Sequence, residues 1–483
     1  MKMKTSLKSL RLAAVSFSLL LTGCSLTPTY ERPDMPVTQA WQQERSVGKQ
    51  VSELAWDAFV LDDNLRGLIR TALENNRDLR HAMLNVEAAR AQYRIQRADR
   101  LPSIDAQGTG TRQRMPADLS SIGQSQVQEN YQASVGITAF ELDLFGRVRS
   151  LSEAALQEYF SMEQTAQSAR IALIFEVISS HLIWQDASKR LDLAVATLQT
   201  RETSLRLVHE RRKVGAANEL DYQEALTLVA QARAEAESMQ RERRQAENAL
   251  TLLVGTSALP AREQKRQTSS LLVQEIASGL PSDLLTRRPD ILAAEYQLRA
   301  RNADIGAARA AFFPRISLTG LLGSASSDLS NLFHDGQRTW LFTPQLNLPI
   351  FAGGRNIANL DLAKVRKESA VADYEKTIQI AFREVADALA ATETLYREEQ
   401  ARQAFAEASA KALHLSEARW KAGVDDHLRY LDAQRVDFVN QLALIQVRTQ
   451  RQIALATLFK ALGGGWSYQT DTVRDSTSAT HTL

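Results

Sequence analysis

KAGVDDHLRYLDAQR, residues 421–435, interrupts a chain that otherwise reads as continuous helix. Seventy-one residues without proline precede Lys421, from Ile350 to Trp420, and 48 follow Arg435 to the last residue. Gly423 is the break, because glycine accepts the left-handed backbone that ends a helix. Asp425, Asp426, Arg429 and Asp432 follow it with mixed sign. The stretch has a counterpart 208 residues earlier: Val214-Gly215 matches Ala422-Gly423, Leu220 matches Leu428 and Tyr222 matches Tyr430.

Working outward from this pair, the chain is written twice. Phe145-Gly146-Arg147 recurs in Phe351–Arg355, and Leu101-Pro102-Ser103-Ile104 recurs as Phe313-Pro314-Arg315-Ile316 at an offset of 212. Each half predicts a helix of 23 residues (78–100, 290–312), a Gly/Ser/Thr-rich segment, a 68-residue helical tract (147–214, 355–422), the glycine, and a 39-residue return (216–254, 424–462). A 68-residue helix is ~100 Å long and a 39-residue one ~58 Å. The two shorter helices together match the long one, so they can stack end to end along it. Ile378, Phe382, Val385, Leu389, Thr392 and Tyr396 follow a heptad-like spacing, as do Leu191, Val195, Leu198 and Leu205. An ordinary amphipathic bundle would read the same way.

The segments between helices read as strands. Tyr131–Ala139 alternates apolar with polar or small residues, Leu346–Ile350 alternates, Ile316–Thr319 begins likewise, and Ile104–Arg114 is weaker. Two hairpins give four strands, too few to close a barrel. An open sheet edge is not viable in lipid. Either other subunits complete the sheet in a membrane, or it is a soluble cap.

The first residues are a targeting segment. Lys2, Lys4, Lys8 and Arg11 precede the apolar run Leu12–Leu21, which is too short to span a bilayer, and Leu21-Thr22-Gly23-Cys24 follows. Cys24 is the one cysteine of the 483 residues. The pattern fits a lipoprotein processing site with lipid on Cys24; an ordinary signal peptide is the alternative. Loss of residues 1–23 removes four basic residues and leaves 54 basic against 56 acidic. No basic stripe points to nucleic acid. The seven histidines lack metal-ligand spacing and the seven methionines are scattered, so no metal site and no catalytic constellation is expected. Trp340 and Tyr131 suit either membrane-interface anchors or ordinary packing.

Together, Cys24-Ser25-Leu26, Tyr30–Pro33, Phe145-Gly-Arg147, Arg288-Pro-Asp290, Ile305–Pro314, Phe351–Arg355, Gly423-Val-Asp425, Tyr430–Arg435 and Lys460–Trp466 resemble the TolC-type outer membrane factors, in the lipoprotein branch that includes OprM and CusC. The resemblance covers the chain beyond the signal segment. It implies an α+β membrane protein with two internal repeats. Long helices would form a coiled-coil α-barrel, and four strands from each protomer of a homotrimer would complete a 12-stranded β-barrel. The domains would be a signal peptide at 1–23; a lipid-anchored N-terminal and equatorial segment at 24–62; a first repeat at 63–261, with a hairpin near 103–145 and helices to 254; and a second at 262–466, with a hairpin near 315–351 and helices to 462. An equatorial segment would lie near 256–286, and a polar disordered tail at 467–483.

In function it implies the passive exit duct of a tripartite multidrug efflux pump in the bacterial outer membrane, extending into the periplasm. The partners would be a periplasmic adaptor and an inner-membrane transporter of the RND type, with outer-membrane lipid around the barrel. There would be no enzymatic activity and no cofactor beyond the lipid on Cys24. Gly215 and Gly423 would be adaptor-docking tips. Asp432, with Arg429, Asp425 and Arg435, would form the periplasmic gate, although Arg429 stands where the family pattern has an acid. Three symmetry-related carboxylates would repel one another and a neighbouring arginine would offset that. Solvated turn charges are the plain alternative. Of the first-half equivalents, Asp221 and Glu224 are expected to face outward or between subunits. His427 is expected to be a turn residue. A lipid-anchored periplasmic scaffold without a pore, and a channel for metal ions or proteins, are the competing functions.

Overall fold

The computed structural model describes residues 25–34, 36–37, 49–50, 54–120, 123–259, 271–277 and 284–464. The signal segment, Cys24 and the 467–483 tail lie outside the described residues, as does part of the two equatorial segments. Among the described residues, no helix is long and apolar enough to cross a membrane.

The element order is β1 (Lys49–Gln50), α1 (Trp56–Phe59), α2 (Asp63–Asn75), α3 (Arg77–Ala98), β2 (Asp105–Met115), β3 (Gln126–Leu142), α4 (Arg147–Lys213), α5 (Glu219–Val254), β4 (Ile276–Ala277), α6 (Leu284–Arg287), α7 (Pro289–Ala310), β5 (Arg315–Ser326), β6 (Arg338–Asn347), α8 (Arg355–Lys421) and α9 (His427–Ala461). The lengths pair across the two halves. α3 and α7 have 22 residues each. α4 and α8 have 67 each, and α5 and α9 have 36 and 35. The return helices start later than the sequence suggests, because Asn218 and Asp426 hold extended backbone and cap them.

Two compact units divide the chain. The first holds residues up to 34, Asn85–Glu163 and Ala293–Glu375; the second holds 35–84, Gln164–Leu292 and Lys376 onward.

In the first unit the strands form one antiparallel sheet in the order β2-β3-β5-β6. Its register sorts the side chains. Ala106, Val135, Leu322 and Trp340 form one row, Ile137, Gly320 and Phe342 the next, and Phe140, Leu318 and Pro344 another. These share a face. The opposite face carries Gln107, Ser134, Gly323 and Thr339 in one row and Thr109, Gln132 and Ala325 in another. One face is therefore mainly apolar and the other mainly polar or small, with Leu321 and Leu341 exceptions on the second and Ser324 and Arg338 on the first, and β2 and β6 are unpaired edges.

Two sequence expectations need correction here. The strict alternation of 131–139 stops at Ala139, which has φ 52° and sits in a bulge where three residues of β3 span two of β5. The extra residue shifts the phase, so Phe140 and Leu142 continue the apolar face that Ala139 was expected to share. The last hairpin was expected to reach Ile350, but β6 stops at Asn347, opposite Arg315, where its partner β5 begins.

The first unit also clasps the segment that follows Cys24. Asn302 donates to the Pro28 carbonyl at 2.8 Å, Arg309 to the Leu26 carbonyl at 3.1 Å, and the Thr27 and Ser150 hydroxyls meet at 3.0 Å. A Cβ on Gly306 would lie 2.2 Å from the Thr27 hydroxyl, so only glycine lets the segment seat there. Farther along, Arg32 forks onto Glu295, a nearly fully buried carboxylate, at 3.2 and 2.7 Å. Tyr30 donates to the same carboxylate, and burial beside Glu295 pushes its hydroxyl up to about 12.

The second unit packs helix on helix. Ile378, Phe382, Val385, Leu389 and Thr392 are all buried, as the heptad spacing predicts; Tyr396 is half exposed beneath the Arg451 guanidinium. The first-half seam turns by one residue: Leu191 and Leu198 pack around buried Ala194, while Val195 is exposed. Small Ala194 against Ala236 and Met239 lets the helices approach closely, a choice that a pattern of large apolar residues hides. Buried Arg288 ties three segments together. It forks onto Asp290 at 3.0 and 2.5 Å, reaches Glu384 at 2.8 Å and donates to the Ala461 carbonyl at 3.0 Å. β1 pairs in parallel with β4.

Candidate functional site

The two glycine turns are built alike. Gly215 has φ 73° and Gly423 φ 71°. In each, the glycine N–H returns to a carbonyl three residues back and the next N–H to one five back: Gly215 to Arg212 and Ala216 to Arg211, Gly423 to Trp420 and Val424 to Arg419. This double closure satisfies the last helical carbonyls and requires positive φ at the glycine. The space around both glycines is open, and Val214 and Val424 beside them are exposed.

Beyond the glycines the copies diverge. In the first turn Asn218 and Asp221 form a reciprocal capping box, at 2.8 and 3.0 Å. Asp221 is thus engaged with the first turn of its own helix. In the second, Asp426 alone caps α9, accepting from the Arg429 N–H at 3.0 Å. Asp425 is gripped by Arg419 through two hydrogen bonds of 2.7 and 2.9 Å, with the Arg429 guanidinium at 3.7 Å. The Arg419 hydrogen bond holds the Asp425 carboxyl below its usual range. Its contribution is therefore present above the ordinary carboxyl range and fades as pH falls through the folded value. Asp432 pairs instead with Arg435 at 2.7 Å, and both are largely exposed. The four residues singled out in the sequence thus form two separate pairs within one protomer, Arg429 with Asp425 and Arg435 with Asp432. Arg419 is a member that the sequence reading missed; its place six residues before Asp425 across a glycine turn was the available signal.

His427 is not a turn residue but the first residue of α9. Its ring lies 4.9 Å from Trp420 and 6.2 Å from Tyr430, and Trp420 stacks on Tyr430 at 5.0 Å. Its Nε2 is 3.4 Å from the Ser204 hydroxyl, and its Nδ1 is buried without a hydrogen-bond partner. Burial pushes the imidazole pKa down; Asp221, Glu224 and Asp426 pull it partly back, and Arg211 adds to the depression. A positive charge at a helix N-terminus is also disfavoured. The unfolded imidazole therefore binds its proton more readily than the folded one. The stability that follows is present above the ordinary value of about 6.5 and is lost as pH falls below it. The protection factors of amides across 419–435, with the intrinsic pH dependence of exchange divided out, should fall between pH 7 and pH 5, and His427→Phe should remove that fall. An equal fall in the variant would show that another group titrates.

Among the described residues, no group of three His, Cys, Asp or Glu could hold a metal ion.

A family model described as outer membrane efflux protein matches residues 68–256 and 280–464. The chain is 56% identical over 460 residues to outer membrane protein OprJ of Pseudomonas aeruginosa, covering 94% of this chain and 95% of that one. It is 46% identical over 469 residues to the antibiotic efflux pump outer membrane protein ArpC of Pseudomonas putida, covering 96% and 97%. The structure resembles that of the open state of the Neisseria gonorrhoeae MtrE outer membrane channel, with a TM-score of 0.83 and 38% identity over 92% of this chain and 98% of that one.

Proposed function

The chain belongs to the outer membrane efflux protein family, and from that premise we propose how its parts divide the work of an efflux channel. It is the outer-membrane channel of a tripartite efflux pump, a passive duct from the periplasm to the outside that works with an adaptor and an inner-membrane transporter. Its cargo is small toxic organic compounds, and the transporter is of the RND type. Metal ions or proteins are the alternative cargo, which the transporter rather than the duct selects.

The observation that carries this reading is the sheet. Strands of 10 to 17 residues are long enough to cross a bilayer. An apolar face and a polar face on the same four strands suit lipid outside and water inside. Each edge presents a row of unpaired N–H and C=O groups, and each such group costs several kcal/mol in hydrocarbon. Three copies, twelve strands, leave no edge. The matched element lengths support two internal repeats. Lipid on Cys24 fits the clasped segment Leu26–Arg32, which leads from it. The turns at Gly215 and Gly423 are the adaptor-docking tips, and Asp425, Arg429, Asp432 and Arg435 line the periplasmic gate.

The test is electrical. The detergent-purified chain should insert into planar bilayers and give discrete ion-conducting steps. A chain that stays monomeric and does not conduct would favour the pore-less, lipid-anchored scaffold.

A further inference from the structure

The end of α3 carries a row of arginines that the channel reading leaves unused. Arg90, Arg94 and Arg97 follow helical spacing on one face, and Arg100 lies just beyond. Arg94, Arg97, Ala98, Arg100 and Leu101 line a concavity of about 500 Å³. Among the described residues, Arg94, Arg97 and Arg100 have no ion pair. The acids nearby are otherwise engaged: Glu87 faces Arg90 at 3.9 Å, Asp99 accepts from Gln96 at 2.8 Å and Asp105 from Ser103 at 3.1 Å. Ile95, Leu101 and Ile104 are exposed beside the row, and the chain passes through Pro102 directly into β2.

The matching helix shows what this face is for. α7 has the same 22 residues and leads through Pro314 into β5, so Arg90, Arg94 and Arg97 correspond to Asn302, Gly306 and Arg309. On α7 those three positions are covered by residues 26–28 of the chain itself, the segment just after Cys24. That face therefore lies where the lead from the anchor runs. On α3 the face has no such cover among the described residues, and Arg94 stands in place of Gly306, the one small residue that made room for it.

We propose that the Arg94–Arg97–Arg100 surface docks the headgroup of an anionic phospholipid in the leaflet that faces the periplasm. The lipid takes on α3 the place that the anchored segment takes on α7. Guanidinium forks match phosphodiester oxygens in pairs, and exposed Leu101 and Ile104 would meet the start of the acyl chains. The proposal rests on the reading that the β2–β6 sheet lies in the membrane.

The test uses the full-length chain, as wild type and as the triple variant Arg94→Gln, Arg97→Gln, Arg100→Gln, in mixed micelles with phosphatidylglycerol or phosphatidylcholine. Bound lipid is counted by native mass spectrometry. At about 1 kcal/mol for each of the three basic residues near an anionic surface, the wild type should prefer phosphatidylglycerol by roughly a hundredfold. The preference should shrink with added salt, and the variant should lose it while assembling and conducting as before. Equal retention of both lipids by the wild type would overturn the proposal. Displacement of phosphatidylglycerol by millimolar inorganic phosphate would also overturn it, since it would mark a free-anion site. A variant that no longer assembles, beside a wild type with no lipid preference, would instead mark the row as a contact with a second copy. Failure of the wild type to insert into planar bilayers of either lipid would overturn the membrane placement itself, and this proposal with it.

Discussion

Replacing Asp432 with asparagine and Arg429 with glutamine is expected to raise single-channel conductance several-fold and to lower cation selectivity. The two side chains belong to different pairs, Asp432 with Arg435 at 2.7 Å and Arg429 with Asp425 at 3.7 Å. In one protomer the Asp432–Arg435 pair is exposed and would add little to stability, while Asp425 is largely covered and held mainly by Arg419. Their effect on the proposed gate would arise only where three copies converge, each carboxylate then meeting two others and the arginines offsetting the repulsion. Because the arginines and carboxylates would act on one another in that ring, each single replacement should open the channel in part, with the combined effect departing from the sum of the two. Arg419→Gln should join them, since Arg419 is the residue that forks onto Asp425. Conductance and selectivity unchanged in all of these variants would leave these residues as solvated turn charges.

Much of the fold was legible because helices and glycine turns are local. Gly215 and Gly423 mark their turns with no help from distant contacts, and long proline-free tracts predict helix ends to within a few residues. The polar and apolar faces of the sheet were legible from alternation alone as far as Ile137. The phase change at Ala139 was not, because a bulge is set by pairing with β5, some 180 residues away. The site was less legible for the same reason. Arg429 and Asp432 are three residues apart and suggest one network, yet the backbone turn gives them different partners. His427 looked like a turn residue because the rings that bury it come from Trp420 and Tyr430, and only the folded turn stacks them around it. The clasp of residues 25–34 depends on Glu295 and Gly306, more than 260 residues away, and a single glycine inside a helix gave little sign of it.

The central claim is that three copies close one barrel through their edge strands. In the sheet order β2-β3-β5-β6 every neighbouring pair is antiparallel, so β2 and β6 run in opposite directions. β6 of one copy can therefore pair with β2 of the next without changing the pattern, and the unpaired groups of both edges are satisfied together. Cysteine at Thr109 in the middle of β2, combined one at a time with cysteine at positions 339–343 of β6, tests this pairing in membranes. Disulfides need Cβ atoms about 4 Å apart, so only positions in register should react. Cys24 is the one native cysteine, and the lipid proposed on its thiol would leave no background. The account predicts that one or two adjacent positions give near-complete oxidation to a covalent species of three chains, with none larger. A ladder that stops at two chains or continues beyond three, or monomers at every position, would contradict it.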